Sequence, residues 1–156
     1  MPITLTISDG LLSPQAQAEA FAGLTSALLE VSGFTGNSFM TANIVGTINV
    51  LAREHVLAAG QSAPAAFIEL KLPEIALTAP EAKRAFIEKA TDILEHAGEG
   101  RLKREHIWIN IVYAPEWAWG IAGRSFSNND LIDAIQAAPP AGQRPTAPSP
   151  GNQPNR

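Results

Sequence analysis

The chain has 156 residues, the size of a single domain. Its 11 Lys and Arg against 15 Asp and Glu give a net charge of −4, which argues against a nucleic-acid partner because no basic excess is available to neutralise phosphates. Apolar residues make up 46%, enough for a packed core, and there is no cysteine, which removes disulfides, thiolate catalysis and Cys-ligated metals.

In chain order, Ile3, Leu5 and Ile7 alternate with Thr4 and Thr6, the period of a strand with one apolar face. Ser13 before Pro14 marks a helix start. Residues 16–33 then place Ala20, Phe21, Leu24, Ala27, Leu28 and Val31 on one helical face, with Gly33 at the expected left-handed cap. The run FMTANIV at 39–45 is a strand candidate. Ile68, Leu70 and Leu72 alternate with Glu69 and Lys71, predicting a further strand. Thr78-Ala79-Pro80-Glu81 fits a capping box, and residues 81–98 carry a second helix with Phe86, Ala90, Ile93, Leu94 and Ala97 on one face and Gly98 as its left-handed cap. The run HIWINIV at 106–112 is the last long strand candidate. Residues 127–138 are a candidate short helix with Ser127 or Asn129 as cap, and the Pro-rich residues 139–156 are expected to form a mobile tail.

These elements repeat at a spacing of about 65 residues, with Ala20/Ala85, Phe21/Phe86, Leu29/Leu94, Glu30/Glu95 and Gly33/Gly98 identical. Each copy, about 2–60 and 66–126, reads as a right-handed βαβ unit. The expected fold is α/β (α+β): a four-stranded mixed sheet with both helices on one face. Its other face is left for oligomerisation to cover, although Glu69 and Lys71 point to it and would pair or line a wet channel. His55, His96 and His106 form no metal-binding spacing, so no metal is expected. No apolar run approaches the ~18–20 residues of a membrane span. The opening MPITLTISDG has no signal-peptide pattern, so a cytoplasmic protein without a membrane partner is expected.

Met1-Pro2 leading straight into ITLTIS, the duplicated βαβ pattern and the stretch HIWINIVYAPEWAWGIAGRSF (106–126) together resemble the tautomerase superfamily. That family includes 4-oxalocrotonate tautomerase, macrophage migration inhibitory factor and cis-3-chloroacrylic acid dehalogenase. The resemblance covers residues 2–126. It implies a cofactor-independent isomerase, a homotrimer with sites at subunit interfaces, and a small-molecule keto/enol or unsaturated acid as substrate. Pro2, freed by loss of Met1, would be the general base. Its secondary amine must be neutral to accept a proton from carbon, and an apolar pocket disfavours the ammonium form. Charge then develops on the carbonyl oxygen, where a hydrogen-bond donor is wanted.

By the same resemblance Asn110 is the donor candidate, and Trp108 stands at a pocket tyrosine of the migration-inhibitory-factor branch. Trp119 falls at the pocket phenylalanine of 4-oxalocrotonate tautomerase. Ile121 and Phe126 are pocket-wall candidates. Tyr113 stands where the dehalogenase branch has a catalytic glutamate, with Glu116 three positions on. The pattern departs from the family at its carboxylate-binding arginines: the loops Asp9-Gly10-Leu11-Leu12-Ser13 and Pro73-Glu74-Ile75-Ala76-Leu77-Thr78 carry none, and Val31 replaces the dehalogenase histidine. A bidentate clamp is hard to replace with a lysine. Lys71 is one substitute cation, with Arg53 and Arg124 as candidates acting across a subunit boundary. The alternatives to a tautomerase are a hydratase, dehalogenase or decarboxylase of a small unsaturated acid on the same fold, or a non-catalytic trimeric ligand-binding protein.

Overall fold

The computed structural model describes residues 1–141; most of the expected tail, residues 142–156, lies outside the described residues. The chain runs through β1 (Pro2–Ser8), α1 (Pro14–Val31), a short α2 (Ser38–Ala42) and β2 (Val45–Leu51). A small hairpin follows, β3 (Leu57–Ala58) and β4 (Gln61–Ser62). The second half has β5 (Ala66–Pro73), α3 (Pro80–Ala97) and β6 (Ile107–Ala114), then the hairpin β7 (Trp119–Ile121) and β8 (Arg124–Phe126), and finally α4 (Asn128–Ala137).

The four long strands form a mixed sheet in the order β2-β1-β5-β6. β1 runs parallel to β2, β5 runs parallel to β6, and the two halves join where β1 lies antiparallel to β5. Strand alternation sends Ile3, Leu5, Ile7, Ile68, Leu70 and Leu72 to one face, where all are essentially inaccessible. That face packs beneath α1 and α3 through Leu24, Leu28, Phe86, Ala90 and Leu94. The opposite face carries Thr4, Glu69, Lys71, Trp108, Asn110 and Val112. On it Lys71 pairs with Glu69 along their own strand, at 2.9 Å.

α1 begins as its sequence dictates: Ser13 Oγ accepts from the Ala16 N–H at 3.1 Å, and Gly33 past its end has φ +72°. Three local expectations are corrected. Residues 39–44 of the expected 39–45 strand are not a strand. Asn37 caps α2 by accepting from the Met40 N–H at 2.9 Å, which winds residues 38–42 into a helical turn and delays the strand to Val45. The capping box at Thr78 does not form: Ala79 is the cap, with no side-chain hydrogen bond, and Pro80 fills the first helical position. Gly98 is right-handed, at φ −75°, while Glu99 and Gly100 take the positive φ. Gly98 serves close packing instead, since a Cβ there would stand 2.6 Å from that of Leu102. Among the described residues no helix is long and apolar enough to cross a membrane.

Candidate active site

β1 is an inner strand, so the head of the chain enters the sheet between β2 and β5. Met1 is 6% exposed, and its ammonium donates to the Asn43 carbonyl. The Met1 carbonyl accepts from the Val45 N–H at 3.3 Å. Asn43 is held for this by α2: its side-chain amide donates to the Phe39 carbonyl at 2.8 Å, and its backbone N–H closes on Phe39 and Met40. Burial pushes the terminal amine down from 8.0 to about 6, because the charged form loses hydration that the pocket does not replace.

Two hollows meet at this point. A groove of about 340 Å³ is lined by Met1, Pro2, Asn43, Val45 and the hairpin residues Trp119 and Ile121. Behind it lies an apolar cavity of about 190 Å³ that shares Met1, Asn43, Trp119 and Ile121 with the groove. Its far wall comes from Phe34, Phe39 and Met40 around α2, from Ile75 and Ala76 after β5, and from Leu131, Ile132 and Ile135 of α4. Among the described residues neither lining contains a Lys, Arg, Asp or Glu.

α4 closes the cavity because several polar contacts hold it there. Ser127 and Asp130 cap each other, with Ser127 Oγ accepting from the Asp130 N–H at 3.1 Å and Asp130 Oδ2 accepting from the Ser127 N–H at 3.0 Å. Asn37 Nδ2 donates to the Ile135 carbonyl at 2.9 Å, which ties the far end of α4 to the start of α2. Asn128 Nδ2 donates to Glu74 Oε1 at 2.9 Å.

The candidate residues fall into groups. Pro2, Trp119 and Ile121 share the groove. Lys71 lies on the open sheet face, across from Pro2 by extension of the β1–β5 register, with its ammonium engaged by Glu69. Trp108 and Asn110 are exposed on that face of β6, with β5 between them and β1, and Trp108 stacks on Phe67 at 5.4 Å. Tyr113 points to the helical side, where its hydroxyl donates to the Leu77 carbonyl at 3.1 Å and its ring lies under Lys83. Phe126 is buried with the Arg124 guanidinium over its ring, and lines neither hollow. Arg124 itself pairs with Asp130 at 2.7 Å. Arg53 lies in a more polar cleft of about 400 Å³ at the opposite end of β1, beside Asp9 and Arg101. The N-terminal hollows, rather than that larger cleft, are the candidate site, because among the described residues the desolvated amine lies there. Among the described residues no cluster of three or more His, Asp or Glu side chains is placed to hold a metal ion.

The architecture matches solved structures. The Q0 fused 4-OT, a symmetric trimer, superposes with a TM-score of 0.70 at 18% identity, over 84% of this chain and 98% of its own. N1, a member of the cis-3-chloroacrylic acid dehalogenase family, gives 0.72 at 16% identity, over 89% and 93%. The macrophage migration inhibitory factor of Toxoplasma gondii gives 0.64 at 12% identity, over 81% and 100%. The chain has the fold of these proteins. No family model and no curated protein matches its sequence.

Sequence reasoning missed Met1, Asn43 and Val45 as site residues. They act through backbone groups and the chain terminus, which leave no residue-type signal. Leu131 and Ile135 of α4 were visible as an i, i+4 apolar pair in residues 127–138, but not their destination.

Proposed function

We propose that this chain is a cofactor-independent tautomerase, a homotrimer in which Pro2, exposed by loss of Met1, is the general base toward a small keto/enol acid. The observation that carries this is the burial of the chain head. Burial pushes the Met1 amine to about 6, and Pro2, whose nitrogen becomes the terminal amine once Met1 is gone, lines the adjoining groove. A neutral secondary amine at pH 7 beside an apolar cavity is what abstraction of a proton from carbon requires. Trp119 and Ile121 are apolar walls of the groove that Pro2 lines. The trimer rests on the fused 4-OT neighbour and on the open sheet face.

A dehalogenase or hydratase must activate water, which a carboxylate does well, and neither hollow offers an acid. The lack of a cation in either lining favours, as the second reading, a ligand-binding protein that has kept the fold without the reaction.

The test is turnover of phenylpyruvate and 2-hydroxymuconate by protein whose intact mass shows that Met1 is absent. Pro2→Ala is expected to lose about 10²–10⁴-fold, the usual contribution of a positioned base. A Met1-free protein inert toward both compounds overturns the tautomerase reading and leaves the binding one.

A further inference from the structure

The groove at Pro2 and the apolar cavity beneath α4 adjoin at Met1, whose buried side chain is part of the wall they share. Met1, Asn43, Trp119 and Ile121 line both. Met1 makes two kinds of contact there. Its carbonyl accepts from the Val45 N–H, and its side chain is buried against the apolar walls. Removing it leaves the Val45 N–H without its acceptor, beside the new Pro2 amine. It also leaves a void continuous with the cavity.

We infer that Met1 occupies the place of the ligand: with Met1 excised, groove and cavity form one site in which the Val45 N–H receives an oxygen of a 2-oxo monocarboxylic acid and the cavity takes its hydrocarbon tail. This rests on the reading of Pro2 as the reacting amine and adds the substrate's shape. The volumes support it. The groove, about 340 Å³, already reaches the usual ~300–1,000 Å³ of a small-molecule site, and adding the cavity of about 190 Å³ gives room for a tail without leaving that range. The chemistry of the walls excludes a second carboxylate. Among the described residues the cavity's lining carries no charged side chain, and only Asn43 and the Trp119 indole bring polar side-chain atoms, so a charge driven under α4 would be desolvated and unpaired. An apolar tail there gains burial at no such cost, and an apolar void of this kind stays dry when empty.

The test is equilibrium binding, by calorimetry, of the straight-chain series from 2-oxobutanoate to 2-oxooctanoate, with 2-oxoglutarate as the dicarboxylate. It compares Met1-free protein with protein expressed while methionine removal is blocked. The Met1-retaining chain is the folded state described above, so its behaviour is not a folding artefact. In the Met1-free protein Kd is expected to fall about fourfold per added methylene, and 2-oxoglutarate to bind more weakly than 2-oxopentanoate. With Met1 retained the series is expected to be flat. Ile132→Trp, at the partly exposed rim on α4, is expected to flatten the longer members while sparing 2-oxobutanoate. A flat series in Met1-free protein, an equal slope in both proteins, or tight 2-oxoglutarate binding overturns the inference. A steep series without turnover retains the tail site and removes Pro2 as base; turnover of phenylpyruvate with a flat series does the reverse.

Discussion

At the scale of single residues, the Met1 amine makes folding depend on pH. Its folded-state value lies at about 6, lowered from 8.0 by burial. Between those values the unfolded chain binds more protons than the folded one, so stability rises with pH. The penalty is complete below about pH 6 and gone above about pH 8. Urea midpoints of the Met1-retaining chain, referred to the same chain acetylated at its amine, are therefore expected to climb across that window and stay level on either side. A difference that is flat through it contradicts the burial. The same neighbourhood shows what residue types hide. Trp119 and Ile121 were legible as pocket candidates because a hairpin of that composition matched a known one. Asn43 acts through its carbonyl and Val45 through its N–H, groups that every non-proline residue carries, so no reading of side chains selects them.

Among the elements, the long ones were legible because their periods are long. α1 and α3 each extend over 18 residues, enough turns for the apolar stripe to be unambiguous, and β1 and β5 alternate without a break. α2 is only five residues long, and FMTANIV offers alternation as readily as a turn. The contact between Asn37 and Met40 decides it. The two Asn-Ile-Val runs, at 43–45 and 110–112, are not equivalent positions of the repeat. The ladders pair Ile3 with Gly46 and Ile68 with Ile109, so the runs are out of step: the first straddles the α2–β2 junction and the second lies inside β6. Gly46 is needed where it stands, since a Cβ would meet the Ile3 carbonyl oxygen at 1.9 Å. α4 depends on its cap. The Asp130 carboxyl is held below its ordinary value by hydrogen bonds from the Ser127 N–H and hydroxyl, with the charge of Arg124 adding to them. That support is present above the ordinary value of 3.8 and is lost as pH falls through the lower folded-state one. Ser127→Ala is expected to destabilise the helix by about 1 kcal/mol and to quicken amide exchange in its first turn before the sheet is affected. Exchange in the first turn unchanged from wild type contradicts this role for the cap.

For the whole molecule, the open sheet face is the feature that a single chain leaves unfinished. Phe67 and Trp108 stack on it, and Val45, Trp108 and Val112 are 53%, 42% and 43% exposed. Apolar side chains gathered on one sheet face, among polar ones such as Thr4, Glu69 and Asn110, mark an association surface more often than a solvated one. The proposed homotrimer would cover it. A charge at Val112 would be buried without a partner in such an assembly, so Val112→Asp is expected to sediment as a monomer with an unchanged far-ultraviolet spectrum, while the unaltered chain sediments at three times that mass. A monomeric unaltered chain overturns the assembly. The same variant separates what one protomer holds from what it borrows. Both hollows at Pro2 are walled by one chain, so the monomer should still bind apolar 2-oxo acids within about threefold of the assembly, a change of under ~1 kcal/mol. Among the described residues neither lining supplies a cation for a substrate carboxylate. Arg53, in the polar cleft at the far end of β1, is then a cation that a neighbouring protomer could bring. On that arrangement monomerisation lowers turnover tenfold or more while leaving tail binding in place. Equal loss of both would place the apolar walls, too, under the control of the interface.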